Sequence, residues 1–134
     1  MIRACLALSV AATTALAGVV GATDAHAQPS PPCTFTLSNP VVVPDAGAPA
    51  VAATLQPVEC GWSAEPDYTV ACLQITGNPA TTCVQSRGRD GARVVYSPYV
   101  PGTSYTATGR GCGRWVGQPP APLCQHLGPY TAML

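Results

Sequence analysis

The stretch YTVACLQITGNPATTCVQ, residues 68–85, consists of two strand-like runs on either side of a turn. Tyr, Thr, Val and Ile favour strands, and Gly77-Asn78-Pro79 supplies typical turn residues between the runs. The midpoint between Cys72 and Cys83 falls inside this turn, so symmetric folding places the two cysteines opposite each other on adjacent antiparallel strands. Directly opposed residues can come close enough for a disulfide. The stretch therefore predicts an antiparallel hairpin closed by Cys72–Cys83.

Short runs of this kind recur along the chain between clusters of turn residues. The 15 prolines and 13 glycines are scattered throughout and disfavour helices of any length. No window after residue 27 has the apolar stripe of an amphipathic helix. Strands are predicted over Cys33–Ser38, Val41–Val43, Val51–Val58, Tyr68–Thr76, Thr81–Gln85, Ala92–Tyr99, Ser104–Gly109 and Pro129–Leu134. The pattern predicts an all-β fold, a small antiparallel β-sandwich.

The first 27 residues have the parts of a secretory signal peptide. A short start carries Arg3, an Ala/Leu/Val-rich stretch without charge follows, and Ala25-His26-Ala27 has the small-x-small pattern at which signal peptidase cleaves. A membrane anchor is the alternative, but Ser and Thr interrupt the stretch and no basic flank follows it. We expect a signal peptide over 1–27, an extended lead-in over 28–32 and one domain over 33–134. The product would be secreted or in the cell envelope, with no stable membrane anchor after cleavage.

The cysteine count agrees with export. Seven cysteines become six once Cys5 leaves with the signal peptide, and an even number is typical of a disulfide framework in an exported chain. An antiparallel first pair of strands would bring Cys33 beside Cys60, and Cys112–Cys124 would close the last long loop. An inter-sheet bridge such as Cys72–Cys112 is the main alternative. Covalent cross-links matter here because so small a domain buries only about 60–65% of its unfolded surface.

Charge indicates no nucleic-acid or anionic-membrane partner. Leaving out Arg3 and Asp24, the chain has five arginines, five acidic residues and no lysine. So few balanced charges give no electrostatic reason to bind a polyanion. One local exception is Arg87, Arg89 and Arg93, which could form a small anion-binding face.

Arginine without lysine, beside abundant Ala, Pro and Gly, is typical of a GC-rich bacterium such as an actinobacterium. We expect a monomer.

The stretch SPYVPGTSYTATGRG, residues 97–111, resembles the approach to a late strand in fibronectin type III and related immunoglobulin-like domains. The resemblance implies that Pro101-Gly102 form the turn and that Tyr105 is the corner tyrosine, whose hydroxyl bonds to nearby backbone. The chain departs from the pattern in lacking a tryptophan in its YTVACLQI strand and in the long spacing from Tyr105 to Cys112. As a whole, it resembles the small, six-cysteine hypothetical proteins exported by mycobacteria and their relatives. That resemblance implies location more than activity.

No group of residues has the pattern of a catalytic, cofactor or metal site. The cysteines form no C-x-x-C pair, and His126 is the only histidine after residue 27. A serine nucleophile would have to use His126 without a G-x-S-x-G elbow. Glu59, Glu65 and Asp67 could supply a glycosidic acid–base pair. In a polar loop beside Pro66 we expect them to be solvated or paired with arginine instead. The sequence therefore predicts no enzyme, no cofactor and no metal site.

The segment between Cys112 and Cys124 is the strongest candidate interaction surface. A disulfide would close it and prolines would stiffen it, which lowers the entropy cost of binding. Its candidate contact residues are Arg114 and Trp115, of types enriched at interface hot spots, and Pro119, Pro120 and Pro122, which we expect in polyproline II. In the alternative interpretation, Trp115 caps the small core and the prolines merely bridge two strands.

These features predict a non-enzymatic binding or cell-envelope accessory protein that contacts a protein or envelope partner through the 112–124 loop. One alternative is an inhibitor of an extracellular protease, with this loop as a rigid reactive loop. Another is a small-ligand carrier that resembles the enediyne-binding apoproteins, which would need an apolar cavity between the sheets.

Overall fold

The structure, a computed structural model, describes residues 29–119 and 121–134. The expected signal peptide, Gln28 and Pro120 lie outside the described residues. All regular elements of the described ranges are strands. They are β1 (Cys33–Leu37), β2 (Val41–Asp45), β3 (Ala48–Cys60), β4 (Ala64–Ile75), β5 (Thr82–Arg87), β6 (Ala92–Tyr96), β7 (Ser104–Trp115) and β8 (Leu123–Met133). These residues contain no helix that could cross a membrane.

The first sheet is built around the long strand β3, with which β1, β2 and β6 all pair antiparallel. Leu55 of β3 has one partner in β1 and another in β6, and Val51 has one partner in β2 and another in β6. Strands β1 and β2 therefore share one edge of β3, and β6 lies on the other. The turn from β2 to β3 uses Ala46 and Gly47 at φ values of 49° and 84°.

The second sheet has the strand order β5-β4-β7-β8, all antiparallel. Cys72 is the register partner of Cys83, as the symmetric hairpin predicted. The two sheets pack face to face, and their facing side chains form one core that includes Phe35, Leu55 and Leu73. The protein is thus an all-β antiparallel sandwich stabilised by disulfides.

All three disulfides join directly opposed residues of neighbouring strands. The pairs are Cys33–Cys60 between β1 and β3, Cys72–Cys83 between β4 and β5, and Cys112–Cys124 between β7 and β8. The Cα atoms of each pair lie 4.0–4.1 Å apart. The alternative inter-sheet bridge Cys72–Cys112 is wrong. Each cross-link therefore lies within one sheet, and side-chain packing holds the two sheets together.

Tyr105 lies near the start of β7, just after the turn at Pro101 and Gly102. Its side chain is fully buried, and its hydroxyl accepts a hydrogen bond of 2.9 Å from the backbone N–H of Val100. Its ring meets the edge of Tyr96, with 5.8 Å between the ring centroids. The tyrosine therefore ties the turn before β7 to the core.

The predicted ends of the last two strands are wrong. β7 continues past Gly109 to Trp115, and β8 begins at Leu123 instead of Pro129. For β7 the cause is a glycine stripe, Gly109, Gly111 and Gly113, because glycine normally weakens a strand. These glycines face the first sheet, and a Cβ atom on them would overlap Leu55, Phe35 and Cys33 respectively. Glycine is used here because β1 and β3 approach β7 too closely for any side chain.

Candidate functional site

The segment proposed as a recognition loop is mostly strand. Cys112 to Trp115 belong to β7, and Leu123 and Cys124 begin β8, so the connection between the strands covers only residues 116–122. The described prolines of this connection, Pro119 and Pro122, are exposed. The predicted interaction surface is therefore a short hairpin, and its residues Arg114 and Trp115 lie on strand β7.

Arg114 is engaged by a carboxylate of the neighbouring strand. Its register partner in β4 is Glu65, and both Nε and Nη2 donate to Glu65 Oε1, at 2.9 and 2.6 Å. The two side chains are 48% and 40% exposed, and such half-exposed pairs contribute at most about 1 kcal/mol. The pair orients the guanidinium of Arg114 and partly neutralises its charge. Glu65 and Asp67 lie in β4 and not in the polar loop that the sequence predicted.

Trp115 lies beside the turn that joins β3 and β4. A Cβ built on Gly61 would be 3.5 Å from its Cη2 atom, which is ordinary van der Waals contact. The side chain remains 40% exposed. Trp115 therefore covers the turn with part of its ring and presents the rest to solvent.

Trp62, on the same turn, is 94% exposed. The turn and the β7–β8 hairpin are joined by a hydrogen bond of 2.6 Å from the Val116 N–H to the Ser63 carbonyl. Both tryptophans of the chain thus stand at one end of the sandwich, next to the exposed Val116. We call Trp62, Trp115 and Val116 the tryptophan end. Sequence reasoning missed Trp62 as a contact residue, although a Trp in a Gly-Trp-Ser turn directly after a strand has little core to enter.

A groove lies on the outer face of the second sheet. It has a volume of about 410 Å³, and its lining includes Val70, Cys72, Thr108, Arg110, His126 and Pro129. The Arg110 guanidinium carbon lies 5.5 Å from the centre of the Tyr68 ring. The sequence did not predict this groove, because the groove depends on the register between β7 and β8. The first half of β8 was not predicted to be a strand.

Of the three arginines suggested as an anion-binding face, two lie on different sheets and Arg89 lies in the turn between β5 and β6. Arg87 lies in β5 of the second sheet, and Arg93 lies in β6 of the first. Within residues 29–119 and 121–134, no group of three or more His, Cys, Asp and Glu side chains is placed to hold a metal ion.

Comparison of the chain with protein-family models, with curated proteins and with solved structures found no match in any of the three.

Proposed function

We propose that this chain is an exported binding protein that docks a protein or cell-envelope partner on the tryptophan end. The observation that carries the proposal is the exposure of Trp62 beside Trp115. Burying a large apolar side chain stabilises a fold by about 1.5–3 kcal/mol, so a 94% exposed tryptophan forgoes that gain. Exposed apolar clusters mark interaction sites, and tryptophan is among the residue types that dominate binding energy at interfaces.

The tryptophan end is supported by covalent cross-links. Trp62 follows Cys60 by two residues, and Trp115 follows Cys112 by three. Both cysteines are bonded to the neighbouring strand. Because the two turns are also hydrogen-bonded to each other, little conformational freedom remains to be lost on binding. A rigid apolar end of this kind is suited to docking.

The location and the finer fold belong to the same proposal. Three disulfides are typical of an oxidising, extracellular compartment, which supports export by the N-terminal segment. The strand order and the buried Tyr105 support an immunoglobulin-like or fibronectin-like sandwich. The bacterial, actinobacterial source remains an expectation from composition.

Binding is favoured over the alternatives by two features. Glu65, whose register partner Arg114 precedes Trp115, is bonded to that arginine and is not free for acid–base work. The glycine stripe lets Leu55 and Phe35 fill the space next to β7, which speaks against a carrier cavity between the sheets. A protease is one kind of protein partner that the test below would identify.

The test is affinity capture of secreted and envelope proteins by immobilised wild-type protein, Trp62→Ala and Val42→Ser. Val42 is a matched control because it is also exposed and apolar, but it lies in β2 and pairs with Val51, far from the Cys60 end of β3. We expect a partner whose Kd rises by roughly 30-fold in Trp62→Ala, the effect of losing about 2 kcal/mol at a hot spot. Val42→Ser should bind like the wild type. A partner that tolerates Trp62→Ala would refute docking on the tryptophan end.

A further inference from the structure

We propose that the groove on the outer face of the second sheet binds a small amphipathic anion: a molecule with one carboxylate, sulfate or phosphate group and an apolar body. This site is separate from the tryptophan end. Arg110 is five residues from Trp115 along β7, or roughly 16 Å at the usual strand rise. The inference therefore does not rest on the function proposed above.

The groove lies at an irregularity between β7 and β8. The pairing shifts between Ala107 and Gly109, so Thr108 has no register partner in β8. On the other strand, Gly128 has a φ of 86° and approaches the Ala107 carbonyl too closely for a Cβ atom. Bulges of this kind redirect side chains and are frequent beside functional sites. Thr108 and Gly128, which lie at this irregularity on the two strands, both line the groove.

The groove carries a positive charge that the protein does not neutralise. Successive side chains of a strand point to opposite faces, so the glycine stripe toward the core directs Arg110 outward. Among the described residues, Arg110 makes no ion pair; the ion pair found there joins Arg114 to Glu65. Its strand neighbours on β4, Tyr68, Val70 and Cys72, are uncharged. An anion entering the groove would therefore meet an arginine that has no internal competitor.

Two further groups favour an anionic head. The Tyr68 ring lies under the guanidinium at 5.5 Å, which holds the arginine in place while leaving its N–H donors available. His126 is the register partner of Arg110 on β8 and lines the same groove. An arginine fork is well matched to carboxylate, sulfate or phosphate oxygens. Arg110 and His126 together define the polar end of the site.

The remaining lining explains the apolar body. Val70, Pro129 and the Cys72–Cys83 disulfide offer carbon and sulfur surface, without a charge. At about 410 Å³ the groove is of the size that ordinary small-molecule sites have. One cationic end and one apolar side select an amphipathic acid over a sugar or an inorganic ion.

The test is a titration of the exported, oxidised chain with sodium 1-naphthoate, followed by amide NMR shifts and calorimetry. We expect shifts at Val70, Thr108 and His126, which line the groove. The neutral 1-naphthylmethanol should bind at least about 10-fold more weakly, because it cannot form the charge-assisted hydrogen bond to Arg110. Naphthyl phosphate in place of naphthoate should bind to the same residues, since the shared chemistry is the anionic head. Inorganic phosphate should bind more weakly than either.

The variants are Arg110→Gln and, as matched control, Arg93→Gln, which removes an exposed arginine from the other sheet. Arg110→Gln should weaken naphthoate binding by about 10-fold or more, and Arg93→Gln should leave it unchanged. Val70→Glu, which places a carboxylate beside Arg110, is a second variant in case Arg110→Gln fails to fold, and it should also weaken binding. Equal binding of naphthoate and the alcohol, full binding by Arg110→Gln, or shifts confined to the tryptophan end would each overturn the proposal.

Discussion

A methyl group added at Gly111 would overlap the ring of Phe35 from the opposite sheet, because the strands β1 and β7 meet there without an intervening side chain. The ring lies in the closed core, where it is 3% exposed and cannot swing into solvent. The glycine stripe thus sets the spacing of the two sheets on this side of the sandwich. Its contribution is steric, since glycine makes no side-chain contact of its own.

We predict that Gly111→Ala lowers the free energy of unfolding by about 1–3 kcal/mol, the usual cost of overpacking a core. Gly61→Ala is the matched control, because its added methyl would lie 3.5 Å from Trp115, an ordinary contact. It should change stability by less than about 0.5 kcal/mol. Guanidinium unfolding of the oxidised proteins measures both values. If Gly111→Ala is as stable as the control, close approach is not what excludes a side chain at this position.

At the scale of elements, the three disulfides differ in the length of chain that they close. Cys33–Cys60 spans 27 residues, whereas Cys72–Cys83 and Cys112–Cys124 span 11 and 12. In the chain-entropy description, closing a longer loop removes more conformational entropy from the unfolded chain. For this difference in length, the longer loop adds about 0.8 kcal/mol to the stability. Cys33 is also 1% exposed and packs in the core, so its removal adds a packing loss.

We predict that the double variant Cys33→Ala/Cys60→Ala loses the most stability, about 3–5 kcal/mol. Cys72→Ala/Cys83→Ala should lose about 3 kcal/mol of unfolding free energy. Its loss is smaller because the Cys72–Cys83 disulfide closes a short loop and Cys83 is exposed. Chemical unfolding of the two variants and the wild type gives the ranking. The reverse ranking would mean that strain in the folded state, and not loop closure, decides the effect.

Some strands could be predicted from the sequence and others could not. The hairpin of β4 and β5 was predictable down to its register, because Cys72 and Cys83 are symmetric about an obvious turn. The second half of β7 was not, because glycines that serve close approach look like strand breakers when the opposite sheet is unknown. The groove at Arg110 depends on pairing between distant segments, which periodicity within one strand does not reveal.

At the scale of the whole molecule, the cross-links lie within the sheets and one core lies between them. Among the described residues, both sheets contribute buried apolar side chains to this one core. Each short-loop disulfide contributes about 3 kcal/mol, and small domains are stable by only about 5–15 kcal/mol in total. The disulfides together are thus comparable with the entire stability.

We predict that full reduction unfolds both sheets in a single cooperative step. Amide hydrogen exchange in the presence of a phosphine reductant measures this. Protection should be lost together in β3 of the first sheet and β4 of the second, because each covers the other's apolar face. A reduced protein that keeps one sheet protected while the other exchanges would contradict a shared core.

The cross-strand disulfides have a consequence for association between chains. Edge strands are the segments that proteins exchange in domain swapping and that template aggregation. Strands β5 and β8 are the two edges of the second sheet, β1 lies on one edge of the first, and each is bonded covalently to its inner neighbour. An oxidised chain cannot lend these strands to another copy. In the part of the chain that the structure describes, β2 and β6 are the edge strands that no disulfide bonds to their neighbour β3.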